Sequence, residues 1–191
     1  MKQREAGKKR PVKKVSPGYL ERSALYYLER YASSSGNLRR RLLLKATRSA
    51  EAHGTDLEEA VLWIDALIAE LIRMGVLDDA KFAAMKVVSL HRQGKPQRII
   101  AQTLSAKGVA RSDIDHAIGQ FEAERPNSDL EAAITFARKR KFGPWRKEVA
   151  TPERAQKELA SLARRGFAVD VARKVLTSSS AAAAEALLDQ D

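Results

Sequence analysis

The chain has 191 residues, 35 Lys and Arg against 24 Asp and Glu, a formal net charge of +11, and no cysteine. Disulfides and thiolate metal sites are therefore excluded, and a reducing compartment, the cytoplasm, is expected. Hydrophobic residues make up 44% of the chain, enough for a core, but no apolar run approaches the roughly 20 residues of a membrane-spanning helix. Residues 1–17 carry a net charge of +6 and the remaining chain +5. That N-terminal arm has no apolar face to bury and is expected to be disordered, with its cations available to nucleic-acid phosphates.

Beyond the arm the good helix formers Ala, Leu, Arg, Lys and Glu dominate, and the apolar residues recur at helical spacing. The first segment, 18–75, opens at Tyr19. Leu20, Ala24, Tyr27, Leu28 and Tyr31 form one stripe, which Ser33-Ser34-Ser35-Gly36 ends. In a second helix Leu38, Leu42 and Lys45 sit as Ala101, Leu104 and Lys107 do later. Lys45-Ala-Thr stands where a glycine stop would be neater. Thr55-Asp-Leu-Glu58 reads as a capping box, before a stripe of Leu57, Val61, Ile64, Leu67, Leu71 and Met74.

Residues 76–125 form a second segment, framed by glycines. Gly75 and Gly108 stand where helices should stop in the left-handed conformation, each followed by a valine suited to close the cap. Asp78 is placed to cap the next helix, and Pro96 suits a first helical turn. Phe82, Met85 and Val88, then Ile99, Ile100, Thr103 and Leu104, mark two helices. Ser112-Asp-Ile-Asp115 reads as another cap ahead of Ile114, Ala117, Ile118 and Phe121.

The third segment, 126–177, starts at a further capping box, Ser128-Asp-Leu-Glu131. Phe142-Gly143-Pro144-Trp145 interrupts it, Thr151-Pro152-Glu153 restarts a helix, and Arg165-Gly166-Phe167 repeats the glycine stop. Ala155, Leu159 and Leu162 face inward, and a last short helix holds Val171, Val175 and Leu176. Residues 178–191, rich in Ser and Ala, read as a frayed helix or disordered tail. No segment alternates as a half-buried strand does. The expected fold is all-α, an elongated array of three tandem three-helix repeats.

Patterned catalytic chemistry is missing. His53, His91 and His116 lack metal-ligand spacing and read as surface or helix-end residues, no glycine-rich phosphate loop precedes a helix, and no nucleophile elbow or cysteine nucleophile is present. No enzyme activity and no cofactor are expected. Basic clusters remain. Arg138, Lys139, Arg140 and Lys141 are the densest, flanked by Phe142 and Trp145, which could stack on bases or pack on protein. Arg92, Lys95, Arg98, Lys107, Arg111, Arg164 and Arg165 complete the candidate contacts. Cations at a helix C-terminus also oppose the dipole without any ligand.

Gly75-Val-Leu-Asp-Asp-Ala-Lys-Phe-Ala, Arg92-Gln-Gly-Lys, Arg98-Ile with Leu104, Lys107-Gly108-Val109, and Arg165-Gly166-Phe167 together resemble the RecX family of recombination regulators, over roughly residues 19–176. The resemblance implies three three-helix repeats and no catalysis. It also implies binding in the groove of a RecA recombinase filament, with suppression of strand exchange, ATPase and coprotease activity in DNA repair, recombination and the SOS response. The arm and the C-terminal tail fall outside the family pattern. Two other readings of the residues are a direct nucleic-acid-binding helical repeat protein, contacting single- or double-stranded DNA through the arm and surface, and a scaffold for another acidic partner. A monomer without membrane association is expected.

Overall fold

The computed structural model describes residues 11–148 and 151–189, and among these every regular element is helical. The α-helices are α1 (Pro17–Leu28), α2 (Ser35–His53), α3 (Leu57–Arg73), α4 (Asp79–Arg92), α5 (Gln97–Ala106), α6 (Arg111–Glu124), α7 (Ser128–Arg140), α8 (Pro152–Arg165), α9 (Val169–Leu176) and α10 (Ala181–Ala186), with 3-10 turns at Gly143–Trp145 and Leu187–Asp189. The chain divides after Asp78 into two compact units.

In the first unit α1, α2 and α3 all pack on one another around Leu20, Leu38, Leu42 and Ile64. Each helix start is served by its own neighbour in sequence. Ser16 accepts from Tyr19 N–H ahead of Pro17, Ser34 accepts from Asn37 N–H, and Asp56 accepts from the amides of Glu58 and Glu59. Three expectations shift accordingly. Ser33–Gly36 does not end α1 but opens α2, with Gly36 inside the helix. The cap of α3 is Asp56 rather than Thr55, whose hydroxyl is engaged with the Ser49 hydroxyl and carbonyl. Helix α2 runs on through Lys45-Ala-Thr and stops at Gly54, with φ of 63°. On α3 the buried line is Ala60, Ile64, Ile68 and Leu71, while Leu57 and Met74 are exposed.

The basic arm is not uniform. Residues 1–10 lie outside the described residues. From Val12 onward the chain is tied to α2, contrary to the expected disorder. Val15 is only 3% exposed and donates its N–H to Ser49 Oγ at 2.9 Å. The Val12 carbonyl lies 2.8 Å from His53 Nε2. One valine on a polar segment is an apolar anchor that charge counting overlooks.

The second unit holds two hydrophobic clusters. One, on α4–α6, includes Phe82, Val87, Ile100, Leu104 and Ile114. The other, on α7–α9, includes Ile134, Leu162, Phe167 and Val175. Met85 is exposed, and His91 takes a buried place on α4 instead. Helices α5, α6 and α7 have no side-chain cap of their own, being preceded by Pro96, Ala110 and Asn127. Helix α6 therefore begins at Arg111, before the expected Ser112 cap.

The residues expected to box the start of α7 act on α5 instead. Asp129 accepts from Gln97 N–H at 2.7 Å, and Ser128 accepts from Gln97 Nε2 at 3.0 Å. Pro96, placed before the first turn rather than in it, has its ring buried. Buried amides need partners from somewhere, and here the next helix pair supplies one. Burial pushes the Asp129 carboxyl above its ordinary range, partly offset by the Gln97 amide.

Two further corrections concern the third cluster and the tail. Ala155 is exposed, and Glu158 is buried. Its carboxylate accepts from Gly143 N–H at 2.9 Å and pairs with Arg146 at 2.9 Å, so the charge is compensated where it is buried. The tail is ordered through Asp189. Ser180 caps α10 by accepting from Ala183 N–H, Ala184 is fully buried, and Leu187 and Leu188 pack on the third cluster.

Candidate partner-binding surface

The expected contact residues do not form one patch. The tightest grouping lies where α7, the end of α8 and the α4–α5 turn meet. The guanidinium groups of Arg140 and Arg165 sit over the Phe136 ring, at 5.8 and 5.3 Å from its centroid. Lys139 joins them in lining a depression of about 160 Å³, with Gln93, Gly94 and Thr135. Arg140 and Arg165, 25 positions apart in sequence, thus become one basic site. The aromatic ring beneath holds both guanidinium planes through cation–π attraction while leaving their outer donors to solvent.

Arg138 and Lys141 are diverted from this group. Arg138 pairs with Glu185 of α10 and lies 5.9 Å from the Trp145 ring. Lys141 occupies the left-handed region, with φ of 57°, and its backbone closes α7. Phe142 and Trp145, considered as stacking surfaces, pack against the third cluster instead, with Phe142 edge-on to Phe136 at 6.2 Å.

The remaining candidates are distributed. Arg98 and Arg111 line an open groove of about 760 Å³ between α5 and α6, where Arg111 is held by Asp115 at 2.7 Å. Arg92 faces a separate depression that contains Arg125 and Glu131, themselves 3.5 Å apart. Lys95 is half-buried just beyond Gly94, and Arg164 is exposed near the end of α8. Lys107 is the last cap of α5, its backbone N–H bonded to the Thr103 and Leu104 carbonyls.

His91 corrects the surface reading of the histidines. It is 7% exposed, its Nε2 lies 2.9 Å from the Ser128 carbonyl, and its ring packs 4.8 Å from Phe121. It joins the second and third helix sets rather than facing a ligand. Among the described residues no group of three or more His, Cys, Asp or Glu is placed to hold a metal. Among them, too, no helix is long and apolar enough to cross a membrane.

A further basic run lies on α2. Arg39, Arg40 and Arg41 lie in a stretch, 35–50, that also has Lys45 and Arg48 and no carboxylate. Leu38 on one side and Leu42, Leu43 and Leu44 on the other flank the three arginines and mask them within a core-helix pattern. Arg39 makes a two-pronged contact with Asp65, at 2.6 and 2.9 Å, which holds the Asp65 carboxyl below its ordinary range. Arg41 instead lies 4.2 Å over Tyr27. A count of acids between consecutive cations would have found this run.

An all-helical chain whose distinctive chemistry lies in cation groups on its helix ends and faces is, by class, a small basic helical protein. Residues 78–118 match the family model described as RecX, second three-helix domain. The chain is 43% identical over 181 residues to regulatory protein RecX of Myxococcus xanthus strain DK1622, covering 94% of this chain and 95% of that one. It is 35% identical over 167 residues to regulatory protein RecX of Agrobacterium fabrum strain C58, covering 87% and 86%. The chain belongs to the RecX family. The fold is similar to that of a crystal structure of RecX from Lactobacillus salivarius, with a TM-score of 0.62 and 19% identity over 92% of this chain and 97% of that one.

Proposed function

We propose that this protein binds filaments of a RecA-type recombinase in their groove and restrains strand exchange, ATP hydrolysis and coprotease activity, as a cytoplasmic monomer without catalysis of its own. Near-full-length similarity to relatives named regulatory protein RecX carries this reading. In it the helices act as three tandem three-helix repeats, 18–75, 76–125 and 126–177, that array contacts along a filament. The grouping of Lys139, Arg140 and Arg165 around Phe136 supports it, because a cluster built from α7 and the end of α8 offers a fixed cationic contact for carboxylates or phosphates.

The test is ATP hydrolysis by the cognate recombinase on single-stranded DNA, titrated with this protein, together with co-sedimentation. Inhibition is expected at or below equimolar amounts and should weaken with salt, since exposed charges are screened over about 8–10 Å at 0.1–0.15 M. Replacing Lys139, Arg140 and Arg165 by Glu should reduce inhibition without loss of helicity. An unchanged hydrolysis rate at saturation, with no protein in the filament pellet, overturns the proposal.

A further inference from the structure

All four tyrosines of the chain, Tyr19, Tyr26, Tyr27 and Tyr31, fall within residues 19–31, and each is approached by a cation or by another tyrosine. The Arg30 guanidinium lies 3.7 Å over the Tyr26 ring, and Arg41 lies 4.2 Å over Tyr27. Lys45 is 5.5 Å from the Tyr19 ring and donates to its hydroxyl at 3.4 Å. Tyr31 stacks on Tyr27 with centroids 5.1 Å apart and planes 32° apart. Tyr19 and Tyr27 pack partly into the core of the first unit. Tyr26 and Tyr31 do not, and are 62% and 57% exposed. Between α1 and α2 a depression of about 200 Å³ is lined by Tyr26, Tyr27, Tyr31, Arg41 and Lys45.

We propose that this tyrosine-and-cation face of α1, α2 and the connection between them is a binding site for single-stranded nucleic acid, with bases stacking on Tyr26 and Tyr31 and phosphates meeting Arg30, Arg41 and Lys45. Single exposed aromatics are ordinary on a protein surface. Here two exposed rings flank one concave site, and the charged residues that line it, Arg41 and Lys45, are both cations. Residues 17–50 carry seven Lys or Arg against Glu21 and Glu29, so the local charge complements a polyanion. Rings that accept a base on their face, alternating with cations that follow the backbone, are the two components of sequence-indifferent single-strand binding. A duplex keeps its bases stacked inside and cannot offer them to these rings. Arg39, already paired with Asp65, is left outside the site. The site stands whether or not the recombinase reading holds, because it needs no filament.

The experiment is fluorescence anisotropy of the full-length protein with labelled oligothymidylate of about 16 nucleotides, within the span of one single-strand module, and no recombinase present. A matched oligouridylate and an abasic oligomer of the same length are run beside it. Y26A and Y31A should each weaken oligothymidylate binding about fivefold or more while leaving the slope against salt unchanged. Tyr26→Phe and Tyr31→Phe should stay within about twofold, because the ring is kept. Arg41→Gln should lower the salt slope as well as the affinity. Both tyrosines lie outside the core, and matching thermal melts confirm that the variants fold. The tighter of oligothymidylate and oligouridylate identifies the polymer. Equal affinity for the abasic oligomer, alanine variants that bind as the full chain does, or phenylalanine variants that lose as much as alanine would each overturn the site. Failure here leaves recombinase inhibition untouched, and loss of that inhibition leaves this binding intact.

Discussion

Helix α5 stops on Gly108 and helix α7 on Lys141, yet the two ends are built the same way. At the first, Val109 N–H bonds the Leu104 carbonyl and Gly108 N–H bonds Ser105; at the second, Phe142 N–H bonds Ala137 and Lys141 N–H bonds Arg138. The same pair of bonds closes α3 at Gly75, α4 at Gly94 and α8 at Gly166. Four of these five ends use the residue that enters the left-handed region without steric conflict. The fifth is held there by its surroundings: Phe142 packs on the third cluster and Gly143 N–H is bonded to buried Glu158. The bond pair is thus a property of the ending, and glycine is only its least strained occupant.

The comparison breaks most visibly at Gly166. Its φ is 101°, and a Cβ there would lie 2.5 Å from Ile99 Cγ1 and 2.9 Å from Ile99 Cδ1. Gly166→Val combines left-handed strain of about 1–2 kcal/mol with overpacking of about 1–3 kcal/mol. A loss near 3 kcal/mol is expected by thermal or urea denaturation. Gly75 has nothing within 4 Å of the same added atom, so Gly75→Ala should show the strain alone. Equal losses at the two sites would mean that Ile99 moves aside freely.

Helix starts offer a further contrast, for although Thr151 and Ser180 cap α8 and α10 locally, α5 is served from a distant part of the chain. In the first unit Ser16, Ser34 and Asp56 cap their own helices. In the second, Asp129 of α7 caps α5. Asp129→Ala should remove about 1 kcal/mol, the usual worth of a cap, and should speed amide exchange at the start of α5, not α7. Burial raises the carboxyl's folded pKa above its ordinary value of about 3.9. The folded state therefore holds that proton more tightly than the unfolded state does. The contribution of this group is largest below about pH 4 and declines as pH rises through the raised pKa. Asp129→Asn should keep an acceptor for Gln97 and flatten that decline, measured as stability against pH. A steeper decline in the Asn variant would reverse the assigned cause.

Glycine stops and the all-helical pattern were legible because both are local. A Gly followed by an apolar residue after a helical stripe needs no knowledge of the rest of the chain. Ser128-Asp-Leu-Glu131 misleads for the opposite reason: its residue types satisfy the capping rule, but Gln97, 32 positions from Asp129, uses the acceptor. Burial of His91 and Glu158 had no local sign either, since polar residues enter a core only when distant partners satisfy them. Of the candidate contacts, the run at 138–141 was visible, but its division was not. Arg138 turned to α10, Lys141 became a helix stop, and Lys139 and Arg140 met Arg165 only through packing around Phe136.

The smallest effect tests that division at one residue. Lys141→Gly keeps the bonds that close α7 and removes the steric conflict of a β-carbon at φ 57°, worth about 1–2 kcal/mol. Glycine also enlarges the unfolded ensemble, which opposes the gain by about 0.4–1 kcal/mol. A net stabilisation of about 0.5 kcal/mol is expected by urea denaturation. Because the Lys141 side chain does not line the Phe136 depression, the proposed recombinase inhibition should be unchanged in this variant, while Arg140→Glu should weaken it. If Lys141→Gly destabilises the protein, the lysine side chain stabilises this end through contacts of its own, and the five endings are not equivalent. If it is more stable but inhibits poorly, Lys141 belongs with Lys139, Arg140 and Arg165 after all, and the cationic surface extends past the end of α7.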